Sequence, residues 1–392
     1  MPRTRPAPTR RRPAATSRSR STSSEPHRMA PCGDLRRRLP SPVIAPRRRH
    51  PTMTKAPETI DPSRRLFVGA MTTAIAAAGL GLNRPALAAP AALSSFGALK
   101  QVDAGVLSVS YAEQGPADGP VVILLHGWPY DIHTYVDVAP LLAAKGYRVI
   151  VPSLRGYGET RFLSQQTSRN GQQGALAVDV IALMDALKLD KVLLGGCDWG
   201  ARTACIVAAL WPERVKGLVS VSGYLIGSQK LNEAPLPPKA EQQWWYQYYF
   251  ATERGAAGYA RNTRDFARLI WETASPKWRF DDAVFARSAA SFDNPDHVAI
   301  SIHNYRWRLG LAQGEPQFDA LETRLAAFPV ITVPTITLEG DANGAPHPDP
   351  AAYAKKFSGW YRHRTIDGGI GHNLPQEAPA AFADAIIAVD RA

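Results

Sequence analysis

The 392 residues are enough for one large domain or two small ones. The high pI, near 9.7, is not spread evenly: Lys and Arg exceed Asp and Glu by 14 over residues 1–88, whereas residues 89–392 are net −2. The basic excess belongs to the first 88 residues, and the remainder carries none of the charge that would point to a nucleic-acid partner.

Residues 1–52 are Pro, Arg, Ser and Thr with few large apolar groups. Such a stretch cannot bury enough apolar surface to offset its chain entropy, so it reads as a disordered basic leader. Met53 opens a more ordered pattern, which makes residues 1–52 sequence upstream of the true start; a basic nucleic-acid arm is the alternative. Ser63-Arg64-Arg65-Leu66-Phe67-Val68 is followed by a mildly apolar run over 69–82, too short to span a bilayer comfortably, and by the small-x-small site Ala86-Leu87-Ala88. Residues 53–88 resemble a twin-arginine signal peptide. That resemblance implies the twin-arginine export machinery as a transient partner and a periplasmic or secreted destination; a buried amphipathic helix is the competing reading. After residue 88 the only cysteines are Cys197 and Cys205, and neither suggests a disulfide framework.

From residue 89 short apolar runs alternate with helical stretches, the pattern of an α/β fold with a mainly parallel sheet and helices on both faces. The expected elements are strands over 121–125, 147–151, 192–194 and 215–221, with helices over 174–187 and 201–211. At 224–328 the rhythm breaks into a segment rich in Trp, Tyr, Phe and Arg with prolines at 235, 237 and 238. This segment predicts an inserted helical cap, so the core comprises 89–223 and 329–392. Beyond it come a strand over 335–338, a helix near 350–357, a strand over 361–366 and a last helix over 376–389. No transmembrane span is expected in this part.

Gly196-Cys197-Asp198-Trp199-Gly200 stands where an apolar strand meets a helix. The glycines flank a sharp turn in which bulk would make strand and helix collide, and the central side chain is aimed at a helix N-terminus. Small residues at 201, 204, 205 and 208 let that helix lie close to the sheet. Cys197 is excluded as the central residue because its frame would need glycine at 199, where Trp199 stands.

The segment resembles the nucleophile elbow of the α/β-hydrolase superfamily, with aspartate in the central place. An ionised carboxylate needs no base to attack an sp³ carbon, but the alkyl ester it forms must then be hydrolysed by activated water. The resemblance implies that His372, in Gly369-Ile370-Gly371-His372-Asn373, is that base, and that Asp341, in Glu339-Gly340-Asp341, orients it; Asp349 and Asp367 are weaker candidates for the acid. After His126-Gly127-Trp128-Pro129, the backbone N–H groups of Trp128 and Trp199 form the implied oxyanion hole. Arg155-Gly156-Tyr157-Gly158 resembles a family loop with Ser153 where many members have Asp, and is taken as structural.

An aspartate elbow fits epoxide hydrolases and haloalkane or haloacid dehalogenases alike. Tyr246-Gln247-Tyr248-Tyr249-Phe250 and Ile302-His303-Asn304-Tyr305-Arg306 resemble the two cap segments of epoxide hydrolases, whose tyrosines donate to the ring oxygen. Tyr246 and Tyr305 are therefore the expected donors, with Tyr248 the substitute for the first. Arg202 points the other way: it resembles an arginine of fluoroacetate dehalogenases, although Trp199 stands where those carry a second arginine. A salt bridge along its own helix is the alternative for Arg202. The aromatic cap implies a small apolar substrate, and no metal or other cofactor is expected. A non-catalytic binding protein on the same scaffold is the third reading, disfavoured because nucleophile, acid and base are all present.

Overall fold

The structure, a computed structural model, describes residues 94–392. The leader expected at 1–52 and the export signal expected at 53–88 lie outside the described residues.

Nine strands form one sheet: β1 (Lys100–Ala104), β2 (Leu107–Gln114), β3 (Val121–Leu125), β4 (Arg148–Pro152), β5 (Arg161–Phe162), β6 (Val192–Gly196), β7 (Val215–Val221), β8 (Thr335–Gly340) and β9 (Tyr361–Ile366). The order is β1-β2-β4-β3-β6-β7-β8-β9, with β5 paired to β2. The pairs from β4 to β9 are all parallel, while β1, β2 and β5 add an antiparallel flank. The central parallel strand β3 reads as an unbroken apolar run because both its faces are covered, whereas the edge strand β9, Tyr361–Ile366, is only partly buried and carries Arg362, His363 and Arg364. In β3, Ile123 and Leu125 enter the core on one face; Val122 and Leu124 enter the core on the other.

The helices are α1 (Val138–Ala143), α2 (Gln173–Ala186), α3 (Trp199–Leu210), α4 (Gln229–Asn232), α5 (Pro238–Gln243), α6 (Trp245–Ala251), α7 (Glu253–Arg261), α8 (Thr263–Ala274), α9 (Asp282–Ala289), α10 (His297–Arg308), α11 (Asp319–Ala326), α12 (Pro350–Tyr353), α13 (Leu374–Glu377) and α14 (Pro379–Asp390). Apolar residues of α2 and α3 pack into one core, and those of α1 and α14 into the other. Pro379 splits the expected final helix in two, since it cannot donate the bond that would join α13 to α14. Among the described residues no helix is long and apolar enough to cross a membrane.

Between β7 and β8 lie helices only, α4 to α11. Helix α8 shows why this insertion folds onto the core. Its Phe266, Ala267, Ile270, Trp271 and Ala274 recur at helical spacing and are all buried.

Candidate active site

Asp198 sits between β6 and α3 with φ of 54°, a region that L-residues rarely occupy. The surrounding glycines are required by contact. A Cβ on Gly200 would overlap the Leu125 carbonyl, one on Gly196 would meet the backbone of Gly200 and Ala201, and one on Gly127 would overlap Asp198 itself. The turn leaves the Asp198 carboxylate at the head of α3. Burial would raise its pKa; contact with His372 and donation from the Trp128 and Trp199 N–H groups outweigh this and lower it, so the group is an anion. Cys197 points the other way. Its thiol is buried, lies 3.3 Å from the His372 carbonyl oxygen, and is pushed well above the ordinary thiol range by burial.

The loop after β3 brings a backbone donor to the elbow. The Trp128 N–H donates to Asp198 Oδ1 at 2.8 Å. Two cap residues fix this loop: the Trp128 indole N–H donates to the Tyr259 hydroxyl at 2.9 Å, and the Trp271 indole N–H donates to the Pro129 carbonyl at 2.7 Å. His126, fully buried, accepts from the Leu154 N–H at 3.1 Å and ties the loop to the next strand end. Arg155 forms a bidentate pair with Asp179 and is structural, as expected.

His372 presents Nε2 to Asp198 Oδ2 at 3.6 Å. Burial alone would lower its pKa; the interaction with Asp198, followed by the Glu339 and Glu377 charges, raises it instead. The base loop is held by residues the sequence did not single out. Ser275 Oγ, just after α8, accepts from the His372 N–H at 2.9 Å and donates to Glu377 Oε1 at 2.7 Å. Glu377 also accepts from the Gly371 and Asn373 N–H groups.

Asp341 does not meet the imidazole. Its carboxylate is exposed and accepts from the N–H groups of Gly368, Gly369 and Ile370 at 3.2, 2.8 and 2.8 Å, so it braces the turn ahead of the base. Asp349 caps α12 through the Ala351 N–H. The buried carboxylate whose charge bears on His372 from β8 is Glu339, two residues before Asp341, which accepts from Asn343 Nδ2 at 2.7 Å. His372 Nδ1 is buried and has no hydrogen-bond partner among the described residues. The sequence cue for Glu339 is weak: a single carboxylate near the end of an otherwise uncharged strand.

Tyr246, on α6, and Tyr305, on α10, both line the cavity of about 390 Å³ that also holds Asp198, His372 and Trp128. Their rings meet edge-on at 5.4 Å, and each lies 5.1 Å from the Trp128 ring. Burial first raises both phenols, followed by the Asp198 charge at Tyr246 and by Tyr246 and then Asp198 at Tyr305, so both carry their protons. Tyr248 is turned outward and hydrogen-bonds Glu241. Arg202 lines the same cavity and makes no salt bridge among the described residues, so the helix-surface pairing considered for it is not formed. Nor do the described residues contain a His, Cys, Asp and Glu cluster suited to a metal ion.

Residues 120–266 match the family model described as the alpha/beta hydrolase fold. Epoxide hydrolase B of Mycobacterium tuberculosis is 32% identical over 149 residues, which cover 35% of this chain and 41% of that protein. The chain thus spans about two fifths of that relative's length. A haloalkane dehalogenase of Mycobacterium marinum is 35% identical over 210 residues, covering 51% of this chain and 67% of the relative. A Klebsiella pneumoniae crystal structure, described only as a candidate epoxide hydrolase, is 63% identical with a TM-score of 0.75, covering 76% of this chain and 98% of that one.

Proposed function

This chain belongs to the α/β-hydrolase fold family, and within it we propose that the protein opens epoxides to vicinal diols through an ester on Asp198. The observation that carries this reading is the pair of protonated tyrosines, Tyr305 buried and Tyr246 partly buried, sharing one cavity with an ionised aspartate at the elbow.

The chemistry runs in two halves. Asp198 Oδ2 attacks a ring carbon, the C–O bond breaks, and the ring oxygen takes a proton from Tyr246 or Tyr305. This leaves a hydroxyalkyl ester and a tyrosinate. His372 then removes a proton from water, and the hydroxide adds to Asp198 Cγ. The oxyanion forms on Oδ1, already held by the Trp128 N–H and close to the Trp199 N–H. Collapse expels the diol oxygen, which takes the proton back from His372. Asp198 is left with the water oxygen and loses its remaining proton, which restores the tyrosine through solvent. Glu339 stabilises the imidazolium, with Asp341 shaping the loop.

The test is replacement of His372 by Gln followed by intact-protein mass spectrometry. Asp198 should still be alkylated and the ester should accumulate with the full mass of the epoxide. Failure of any adduct to form with a substrate the wild type turns over would sink the mechanism. A second reading, dehalogenation, draws on the Trp199 indole N–H, buried beside the nucleophile with no partner among the described residues, and on the Mycobacterium marinum relative. It predicts an adduct lacking the halogen and release of halide.

Delivery outside the cytoplasm belongs to the same proposal, supported by Arg64-Arg65 and the run that follows them. Lys at both positions should leave the precursor in the cytoplasm; normal export of that variant would refute it.

A further inference from the structure

Trp128 enters the proposed reaction twice. Its N–H holds Asp198 Oδ1 at 2.8 Å, and its ring lies 5.1 Å from the rings of both Tyr246 and Tyr305. A buried hydrogen-bonded chain runs from the far edge of this side chain into the protein. The Trp128 indole N–H donates to the Tyr259 hydroxyl at 2.9 Å, that hydroxyl meets His297 Nε2 at 2.8 Å, and His297 Nδ1 meets the Gly156 carbonyl oxygen at 3.0 Å. The chain joins the loop after β3, helix α7, the start of helix α10 and the loop after β4.

Each proton in the chain has one place. An indole nitrogen can only donate and a carbonyl oxygen can only accept. Burial keeps the His297 imidazole neutral by holding its pKa down to about 4, so it carries a single N–H. The Gly156 carbonyl takes that proton on Nδ1, which leaves Nε2 bare. The Tyr259 hydroxyl must then donate to Nε2 while it accepts from the indole. Trp128, Tyr259 and His297 are all buried, so water does not compete for these bonds.

The far end is anchored too. Gly156 has φ of 81°, and a Cβ there would crowd Ile300 at 3.2 Å and the His297 Cα at 3.4 Å, so glycine is what lets α10 approach this loop. Arg155 beside it is tied to Asp179, and Asn294 ahead of α10 donates to the Gly158 and Thr160 carbonyls. The Arg155-Gly156-Tyr157-Gly158 loop touches none of the reacting groups, yet it carries the fixed point of the chain.

We propose that Tyr259 and His297 are positioning residues: held from the Gly156 carbonyl, they fix the Trp128 side chain, and through it the N–H that bears the oxyanion and the ring against which both tyrosines pack. This deepens, and rests on, the Asp198-ester reading above. Packing holds a flat ring well across its faces and poorly against sliding in its own plane. A hydrogen bond to the ring edge is directional and supplies that restraint. The groups it places act on charge that develops during reaction, so losing it should be felt in kcat more than in KM.

The experiment uses styrene oxide and three variants. Tyr259→Phe removes the hydroxyl, His297→Leu removes the acceptor behind it, and His297→Gln returns an acceptor, the amide oxygen, to the place of Nε2. Tyr259→Phe and His297→Leu should each lower kcat by about 10-fold, the size of one lost buried hydrogen bond, with KM little changed. His297→Gln should recover most of the loss. Wild-type kcat in Tyr259→Phe and His297→Leu, with only the melting temperature lowered, would overturn the proposal, because the pair would then hold the cap and nothing more. Equal losses in His297→Gln and His297→Leu would overturn it as well, since bulk and not the bond would be at work. The Trp128 indole N–H resonance, assigned by its disappearance in Trp128→Phe, tests the chain without turnover. It should move in His297→Leu, although Tyr259 stands between the two residues, and return in His297→Gln. If it does so while the wild type opens no epoxide, the anchoring stands and the epoxide reading falls. If it does not move, the anchoring falls even where epoxides are opened.

Discussion

The two walls of the reaction cavity are built on different principles. On the core side, position is set by backbone: a left-handed φ at Asp198, glycines that admit no Cβ, and N–H donors whose places follow from the turns after β3 and β6. On the cap side, position is set by side chains. Tyr246, Tyr305 and Arg308 project from helices and are oriented by ring packing with Trp128, Trp244 and one another. The core wall tolerates no added Cβ at its glycines, whereas the cap wall is made of side chains carried on helices outside the sheet.

The largest effect should come from the core wall. Asp198→Ala should lower turnover by at least about 10⁴-fold, as for loss of a residue that forms the covalent intermediate. Gly127→Ala should approach that loss with the carboxylate still present, since the added Cβ displaces Asp198. Near wild-type turnover in Gly127→Ala, measured on folded protein, would show that the backbone does not set this wall.

On the cap wall, Tyr246→Phe and Tyr305→Phe should each slow ester formation by about 10²–10³-fold, the usual cost of one donor to a developing oxyanion. Stopped-flow quenching of the cavity tryptophans would report it. If both single variants alkylate at the wild-type rate, the cap contributes shape and no proton.

Smaller effects should separate the two acids of the β8 end. Glu339→Gln should slow ester hydrolysis by about 10–10²-fold and lower the His372 pKa. Asp341→Asn should cost activity little and act through the turn at 368–370 that it braces. The reverse ranking would return the acid role to Asp341.

The smallest effect is a shift with pH. In the proposed mechanism His372 is the base, so it must be neutral. In the free enzyme the Asp198 charge holds its pKa above 6.5, and it becomes neutral only above that raised value. Alkylation removes that charge. Hydrolysis of a preformed ester should therefore persist to lower pH than the free-enzyme titration of His372 seen by NMR. A hydrolysis limb at or above the NMR value would break this coupling.

The same division explains what could be read from the sequence. The elbow is readable because its physics demands particular residues at fixed spacing, and the central strand β3 because burial on both faces leaves an unbroken apolar run. Strands β1, β2 and β5 and the short α1 are not among the elements expected from sequence; β1 carries Lys100, Gln101 and Asp103 on a half-exposed edge that dilutes any apolar pattern. Tyr246 was recognised by its segment, whereas Arg308 and Glu339 were not. A buried charge leaves no mark in sequence until its neighbours are known. Asp341 was chosen because it lies in the loop after the right strand, but loop direction is settled by hydrogen bonds between segments nearly thirty residues apart.

One contact also bears on how such enzymes could be recombined. Ser275 comes from the end of a cap helix, yet it accepts the His372 N–H and reaches Glu377 beyond it. A Cβ on Gly371 would strike Ser275, so the base loop is moulded to that residue as well as bonded to it. The cap is therefore not an interchangeable module. A chimaera that took its cap from another hydrolase would inherit a base loop cut to a different template, and would need the 371–377 segment carried across with it.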